Sequence, residues 1–135
     1  FPTRRSSDLA GTFKPIESDN ISEHKMHFEY YEIANSTQKL IDSSKPLLAV
    51  GTTVTRSIES YVCSGEASDE TNLFLSPSNP PQRVDHLLTN FHFPKSSLIV
   101  LVSSFIGLEK TKAIYQEAIG EKYRFYSYGD AMLIL

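Results

Sequence analysis

Short apolar runs separated by polar turns dominate the chain and alternate with helical periodicity. Thr12–Ile16 is a brief β-type run closed by Pro15, and Ser18, Asp19 and Asn20 form a turn cluster after it. His27–Ile33 is rich in aromatic and β-favouring residues and predicts a strand. Asn35, Ser36 and Thr37 supply cap residues for a short helix running to about Asp42. Pro46–Val50 is wholly apolar after its proline, the pattern of a strand buried on both faces. A glycine turn, Gly51-Thr52-Thr53, leads into a helical pattern with Val54, Ile58, Tyr61 and Val62 on one side. Ser64–Glu70 reads as a loop, Leu73–Leu75 as a short strand, and the proline-rich Ser76–Gln82 as irregular.

The second half repeats the theme. Val84–Ser97 interleaves Asp85, Thr89, Asn90 and His92 with Leu87, Leu88, Phe91 and Phe93, so it reads as a polar loop leading into a helix and a candidate pocket wall, or as a turn whose polar groups satisfy the backbone. Leu98–Ile106 is a helix apolar nearly all round, capped by serine and ended by Gly107. Glu109–Lys122 predicts a surface helix with Ile114, Tyr115, Ala118 and Ile119 on its inner face. Ala131–Leu135 is an apolar closing strand. Strand, glycine turn and helix in succession point to an α/β layer architecture.

Composition adds limits. Hydrophobic residues are 40% of the 135, enough for a core. The net charge of −3 argues against sequence-independent coating of nucleic acid, which depends on phosphate neutralisation. The single cysteine, Cys63, allows no internal disulfide, fits a cytoplasmic setting and reads as a small buried residue. No apolar run reaches the roughly 20 residues of a membrane span. Phe1–Leu9 is polar and aperiodic, an unanchored lead.

Four segments have candidate chemistry. Gly51-Thr52-Thr53 lies where backbone N–H groups and the helix dipole favour an anion, with a plain helix cap as the alternative. His24, His27 and Glu29, with Cys63, contain donors for a zinc site, but strand geometry sends the two histidines to opposite faces, so no metal is expected. Asp85, Thr89, Asn90 and His92 are the polar members of the pocket-wall segment. Tyr123–Asp130 packs four aromatics, Arg124 and Asp130 into eight residues, a pattern that serves base stacking or cation binding as readily as an aromatic core.

The stretches AGTFKPI at Ala10–Ile16, EHKMHFE at Glu23–Glu29, AVGTTVTRSIE at Ala49–Glu59, TNFHFPKSS at Thr89–Ser97 and YRFYSYGDAMLI at Tyr123–Ile134 occur in that order. Together they resemble the C-terminal portion of the queuosine-pathway S-adenosylmethionine:tRNA ribosyltransferase-isomerases. The resemblance covers nearly all of Ala10–Leu135 and none of Phe1–Leu9, which fits a foreign junction near Ala10. Phe93 stands where leucine is usual. The resemblance implies part of a three-layer αβα sandwich, a mixed sheet with flanking helices, with the family's β-barrel domain absent. It implies a C-terminal piece of a catalytic domain over residues 10–135, inactive alone and monomeric at full length.

It further implies ribosyl transfer from S-adenosylmethionine, a co-substrate rather than a resident cofactor, to 7-aminomethyl-7-deazaguanine in the anticodon loop of tRNA. The product is epoxyqueuosine, and adenine and methionine leave. A sulfonium acidifies its neighbouring C–H bonds, so a base is needed, and adenine departs more easily when protonated, so an acid is needed. His92 and Asp130 are the favoured candidates, with Asp85 and His27 behind them. Gly51, Thr52, Thr53 and Arg56 suit the methionine carboxylate, and Asn90, Tyr126 and Tyr128 suit the rest of the donor or a base. A non-catalytic RNA-interaction module on the same fold and a metal-dependent hydrolase built on His24, His27 and Glu29 are the competing readings.

Overall fold

The computed structural model describes residues 26–93 and 96–135. The readings at residues 1–25, including the lead, the first β-type run and His24, lie outside the described residues. The elements run β1 (Glu29–Glu32), α1 (Asn35–Asp42), β2 (Leu48–Val50), α2 (Thr52–Ser64), β3 (Ser68–Thr71), β4 (His86–Asn90), α3 (Ser97–Ile106), α4 (Leu108–Gly120) and β5 (Ala131–Ile134). They form a two-stranded antiparallel sheet, β1-β3, and a three-stranded mixed sheet ordered β2-β4-β5. In the latter β2 is parallel to β4, and β5 is antiparallel to it.

The α/β reading holds, with several local differences. Within Ser64–Glu70, which hydropathy marks as a loop, Ser68 begins a strand that runs to Thr71 and pairs with β1, while Leu73–Leu75 stays irregular. This strand is polar and mostly exposed, so hydropathy does not mark it. The segment read as a polar loop contains β4, the central strand. Its polar groups do not share a side: Leu87 and Thr89 are buried, whereas His86, Leu88 and Asn90 alternate with them. The helix after Ala34 is capped by Ala34 itself, one residue earlier than expected, with no side-chain bond.

β2 differs in a way that matters. Ala49 is buried, but Leu48 and Val50 are 48% and 60% exposed. Leu133 on β5 is also exposed. The described helices therefore cover one face of the sheet only, and the apolar run expected to be buried twice is buried once.

On the covered face Ala49, Leu87 and Ile134 pack against Ile58 of α2 and Leu101 and Val102 of α3. A second cluster joins Phe91, Tyr115 and Ala118, with Ile99, Phe125 and Met132 beside it. Only part of the expected apolar stripe of α2 is buried: Ile58 is, and Tyr61 packs on the core beside it. Val54 and Val62 are exposed, while Thr55, Arg56, Glu59 and Ser60 are buried. Cys63 is exposed too, contrary to its reading as a core residue.

Two buried or half-buried charges organise the loops. Glu59 is 1% exposed and accepts hydrogen bonds from the backbone N–H groups of Gln82, Arg83 and Val84, all at 2.8 Å. Arg83 then closes the end of α1 from about 40 residues away. Its Nε donates to the Ile41 carbonyl at 2.6 Å, and Nη2 donates to those of Ser43 and Lys45 at 3.1 and 2.9 Å. A planar fork of five donors suits this work, and a lysine ammonium does not.

Candidate functional site

Because β2 and β4 are parallel, both chains leave the sheet at the same edge. Val50 passes into Gly51 and α2 there, and Asn90 passes into Phe91–Phe93 on the way to α3. β5 runs the other way, so its entry, Tyr126–Asp130, arrives at that edge as well. Ligands of open α/β sheets gather at such carboxyl ends. Topology alone thus brings Thr52, Asn90, His92 and Asp130 to one end of the sheet.

Gly51 has φ +101°, a conformation that favours glycine, and its N–H donates to the Leu88 carbonyl at 2.9 Å. The turn is thereby bonded to β4. The cap of α2 is this glycine, with no side chain to satisfy the first N–H groups. Thr52 is buried and Thr53 is exposed. Arg56, just past the first turn of α2, is only 2% exposed and turns toward β1. Its Nη1 contacts Glu29 at 2.7 Å and its Nε donates to the Leu73 carbonyl at 3.1 Å, while Nη2 is buried without a hydrogen-bond partner. Burial lowers its pKa, and the Glu29 carboxylate opposes that shift. Arg56 is therefore built into the α2–β1 packing.

His92 is buried at 5% exposure. Its Nε2 lies 2.9 Å from the Thr89 hydroxyl, and its backbone N–H donates to the Tyr115 hydroxyl at 3.0 Å. Burial lowers the imidazole pKa to about 4, so the ring is neutral at physiological pH. An ordinary unfolded histidine titrates near 6.5. The native state thus binds fewer protons than the unfolded state between these values. Stability from this group is fully present above about pH 6.5 and is lost as pH falls toward 4, with a magnitude of at most about 3 kcal/mol. A melting temperature that falls through this window, and falls less in His92→Asn, is the expected result. An identical acid slope in both proteins contradicts it.

Asp130 closes the turn before β5. Its Oδ2 accepts from the Arg124 backbone N–H at 2.7 Å and its Oδ1 contacts Arg124 Nη2 at 3.2 Å. The backbone bond first, and the guanidinium bond after it, hold its pKa below the usual value, so it is a carboxylate at neutral pH. The Asp130 backbone N–H also donates to the Arg124 carbonyl at 2.8 Å. Inside this loop Tyr126 has φ +73°, which is unusual for a residue with a Cβ. Its N–H donates to the Phe91 carbonyl at 2.9 Å, and its carbonyl accepts from Gly129 at 3.0 Å. Its ring meets Phe93 edge to face, 4.5 Å between centroids. Phe93, Tyr126 and Tyr128 are all exposed, whereas Phe125 turns inward onto Phe91 and Tyr115.

Gly129 has no room for a side chain: a Cβ there would stand 2.4 Å from the Arg124 carbonyl oxygen. Gly129→Ala must open the loop and is expected to cost roughly 1–3 kcal/mol, the range for enforced backbone strain. Urea titration checks this, and a midpoint unchanged from the parent would contradict it.

The remaining candidates are placed differently. Asp85 precedes β4, so the whole strand, at about 3.3 Å per residue, separates it from Asn90 and His92. There it accepts from the Leu47 N–H at 2.8 Å and pairs with Arg83 at 3.3 Å, a structural role away from the others. His27 is exposed on the approach to β1. Asn90 Nδ2 reaches the Gly129 and Asp130 carbonyls only at 3.5 Å. Among the described residues no group of three or more His, Cys, Asp or Glu is placed to hold a metal ion. No helix among them is long and apolar enough to cross a membrane.

Of the two groups that hold His92, the sequence marks Thr89 only as a polar member of the pocket-wall segment and Tyr115 only as a core residue. Thr89 and Tyr115 hold the ring and the backbone N–H of His92, and neither pairing shows in one dimension. Two concavities, about 280 Å³ between α3 and α4 and about 160 Å³ beside the β1-β3 sheet, contain none of the candidate catalytic or donor-binding residues.

The comparisons agree on one family. A family model described as "Queuosine biosynthesis protein" matches residues 9–134. An S-adenosylmethionine:tRNA ribosyltransferase-isomerase from a Nitratiruptor species is 67% identical over 126 residues, which is 93% of this chain and 37% of that protein. The protein of the same name from Campylobacter concisus is 57% identical over the same shares. The crystal structure of an S-adenosylmethionine tRNA ribosyltransferase from Thermotoga maritima aligns with a TM-score of 0.73 at 37% identity, over 78% of this chain and 40% of that one. This chain spans about 37% of the length of the curated relatives it matches. With the sheet, its flanking helices and the match over residues 9–134 in agreement, the chain belongs to the queuosine biosynthesis protein family.

Proposed function

We propose that the chain supplies part of the catalytic α/β domain of an S-adenosylmethionine:tRNA ribosyltransferase-isomerase. The reaction transfers the ribosyl unit of S-adenosylmethionine to 7-aminomethyl-7-deazaguanine in tRNA, isomerises it to the epoxycyclopentane of epoxyqueuosine, and releases adenine and methionine. The observation that carries this reading is the meeting of three segments, Gly51–Thr53, Thr89–His92 and Tyr126–Asp130, at one carboxyl edge of the sheet.

The groups there suit a cationic donor. The uncapped start of α2 favours the methionine carboxylate. The exposed rings of Tyr126 and Tyr128 offer faces to a sulfonium or a base. His92, neutral in its buried setting, is the proton acceptor of the pair. Asp130, ionised and fixed to Arg124, supplies negative charge near the developing positive charge. The site needs no resident cofactor; S-adenosylmethionine is the co-substrate and tRNA the partner. A soluble, cytoplasmic, monomeric enzyme is the setting for this chemistry.

The test is a chimera in which residues 9–134 replace the matching segment of the Nitratiruptor relative. Incubated with S-adenosylmethionine and tRNA carrying the aminomethyl base, it should release adenine at a rate within about tenfold of the parent, a barrier change of under roughly 1.4 kcal/mol. A folded chimera that binds tRNA yet releases none would favour the non-catalytic module instead.

A further inference from the structure

The backbone around His92 is held by the elements packed beside it. The Phe91 N–H donates to the Asp130 carbonyl at 3.2 Å, and the Phe91 carbonyl accepts from the Tyr126 N–H at 2.9 Å. The His92 N–H donates to the Tyr115 hydroxyl of α4 at 3.0 Å. Thr89 is fixed as well. It pairs with Met132 in the ladder between β4 and β5, and a β-branched side chain is stiff at χ1. On these set backbones the Thr89 hydroxyl meets the His92 ring itself, 2.9 Å from Nε2.

That contact has a direction. A hydroxyl has one proton to donate, and an imidazole nitrogen is either a donor or an acceptor. Thr89 is buried, and among the described residues its hydroxyl meets no acceptor other than Nε2. Were the ring proton on Nε2, that N–H would donate to the threonine oxygen. The hydroxyl proton would then be buried with nothing to receive it, an arrangement that native proteins avoid. With Nε2 bare, the hydroxyl donates and both groups are satisfied. Burial keeps the ring neutral, so a bare Nε2 leaves the proton on Nδ1.

We infer that Thr89 is a positioning residue for His92: its hydroxyl donates to Nε2 and holds the imidazole in the tautomer protonated at Nδ1. The part of Thr89 in turnover rests on the enzymatic reading; the tautomer does not. On that reading the proton that His92 accepts is bound at Nε2, the nitrogen that threonine faces. The hydroxyl proton turns away as the new one arrives, and the threonine oxygen then accepts from Nε2–H. The S-adenosylmethionine carbon keeps the electron pair beside its sulfonium, and the ring ends as an imidazolium protonated at both nitrogens. Thr89 thus orients the lone pair before the transfer and stabilises the cation after it.

Multiple-bond ¹H–¹⁵N spectra of the chimera, labelled in its histidine rings and recorded at neutral pH, test the tautomer without any turnover. The His92 signals are identified by their loss in His92→Asn. They should show a protonated Nδ1 and a bare Nε2. Thr89→Val keeps the shape but removes the hydroxyl, and it should move the proton to Nε2 or leave a mixture of tautomers. Thr89→Ser should restore the Nδ1–H pattern. In turnover, Thr89→Val should lower kcat for adenine release about fivefold or more, the scale of one hydrogen bond. KM for S-adenosylmethionine should stay within about twofold, because the effect is on the chemical step. A change that merely loosened the fold would leave the tautomer alone and would not be rescued by serine. The inference is overturned if Nε2 is protonated in the unsubstituted chimera, if Thr89→Val leaves the ring signals unchanged, or if its kcat matches that of the unsubstituted chimera. Should Thr89→Val fail to fold, the spectrum of the unsubstituted chimera and the rate of Thr89→Ser still decide. Adenine release with Nε2 protonated would sink the inference and spare the enzymatic reading; the expected tautomer with no adenine release would sink the enzymatic reading and spare the tautomer.

Discussion

Glu59→Ala is expected to lower the unfolding free energy by roughly 3–5 kcal/mol, the range for stripping a buried charge from its partners. The carboxylate is 1% exposed and collects three backbone N–H groups, from Gln82, Arg83 and Val84. Removing it leaves those donors buried or half-buried with nothing to replace the acceptor, and it also leaves a cavity beside α2. Glu59→Gln keeps one carbonyl oxygen but turns the other acceptor into a donor, so it should lose a smaller part, about 1–3 kcal/mol. Urea unfolding followed by circular dichroism separates the two. A parent-like midpoint for Glu59→Ala would show that the loop satisfies itself in some other way.

In the chimera, His92→Ala should reduce the rate of adenine release by roughly two to four orders of magnitude, the span attributed to a positioned acid or base. His92→Asn, which conserves polarity without a comparable proton affinity, should not restore it. Asp130→Ala should lose at least about tenfold through charge stabilisation and loop fixation together. Asp130→Asn separates these contributions. It can still accept from the Arg124 N–H, so the loop survives and the loss of charge is read alone. Near-parent turnover in both His92→Ala and Asp130→Ala would remove the two residues from the mechanism.

Much of the scaffold is visible in one dimension because apolar periodicity is strong where burial is one-sided or complete. Leu98–Ile106 lies within α3, and Ala131–Leu135 contains β5. The Gly51 turn also stands where glycine followed by a helical pattern places it. The failures share a cause. β3 is a polar strand held by its pairing with β1, and pairing leaves no trace in hydropathy. β4 alternates Leu87 and Thr89 with His86 and Asn90, so its inward threonine makes a central strand resemble a loop. In α2 the buried face adds Thr55, Arg56, Glu59 and Ser60 to the expected Ile58, and side-chain partners of the last three polar residues lie 11 to 27 positions away. Sequence spacing cannot show that such groups are satisfied. The candidate site is legible as segments but not as geometry. Nothing in the residue types separates Asp85, which serves the opposite end of β4, from Asp130.

The closure of α1 by Arg83 bears on how the chain comes together as it is made. Leu40 and Ile41 leave the ribosome long before residue 83, and until then only Ser43, at the Leu40 carbonyl, and water answer the last carbonyls of this eight-residue helix. So short a helix is marginal in water without tertiary support. The Ile41, Ser43 and Lys45 carbonyls therefore gain their arginine donor only when the strand that follows Arg83 docks, and a nascent chain halted between these two points holds this end by Ser43 alone.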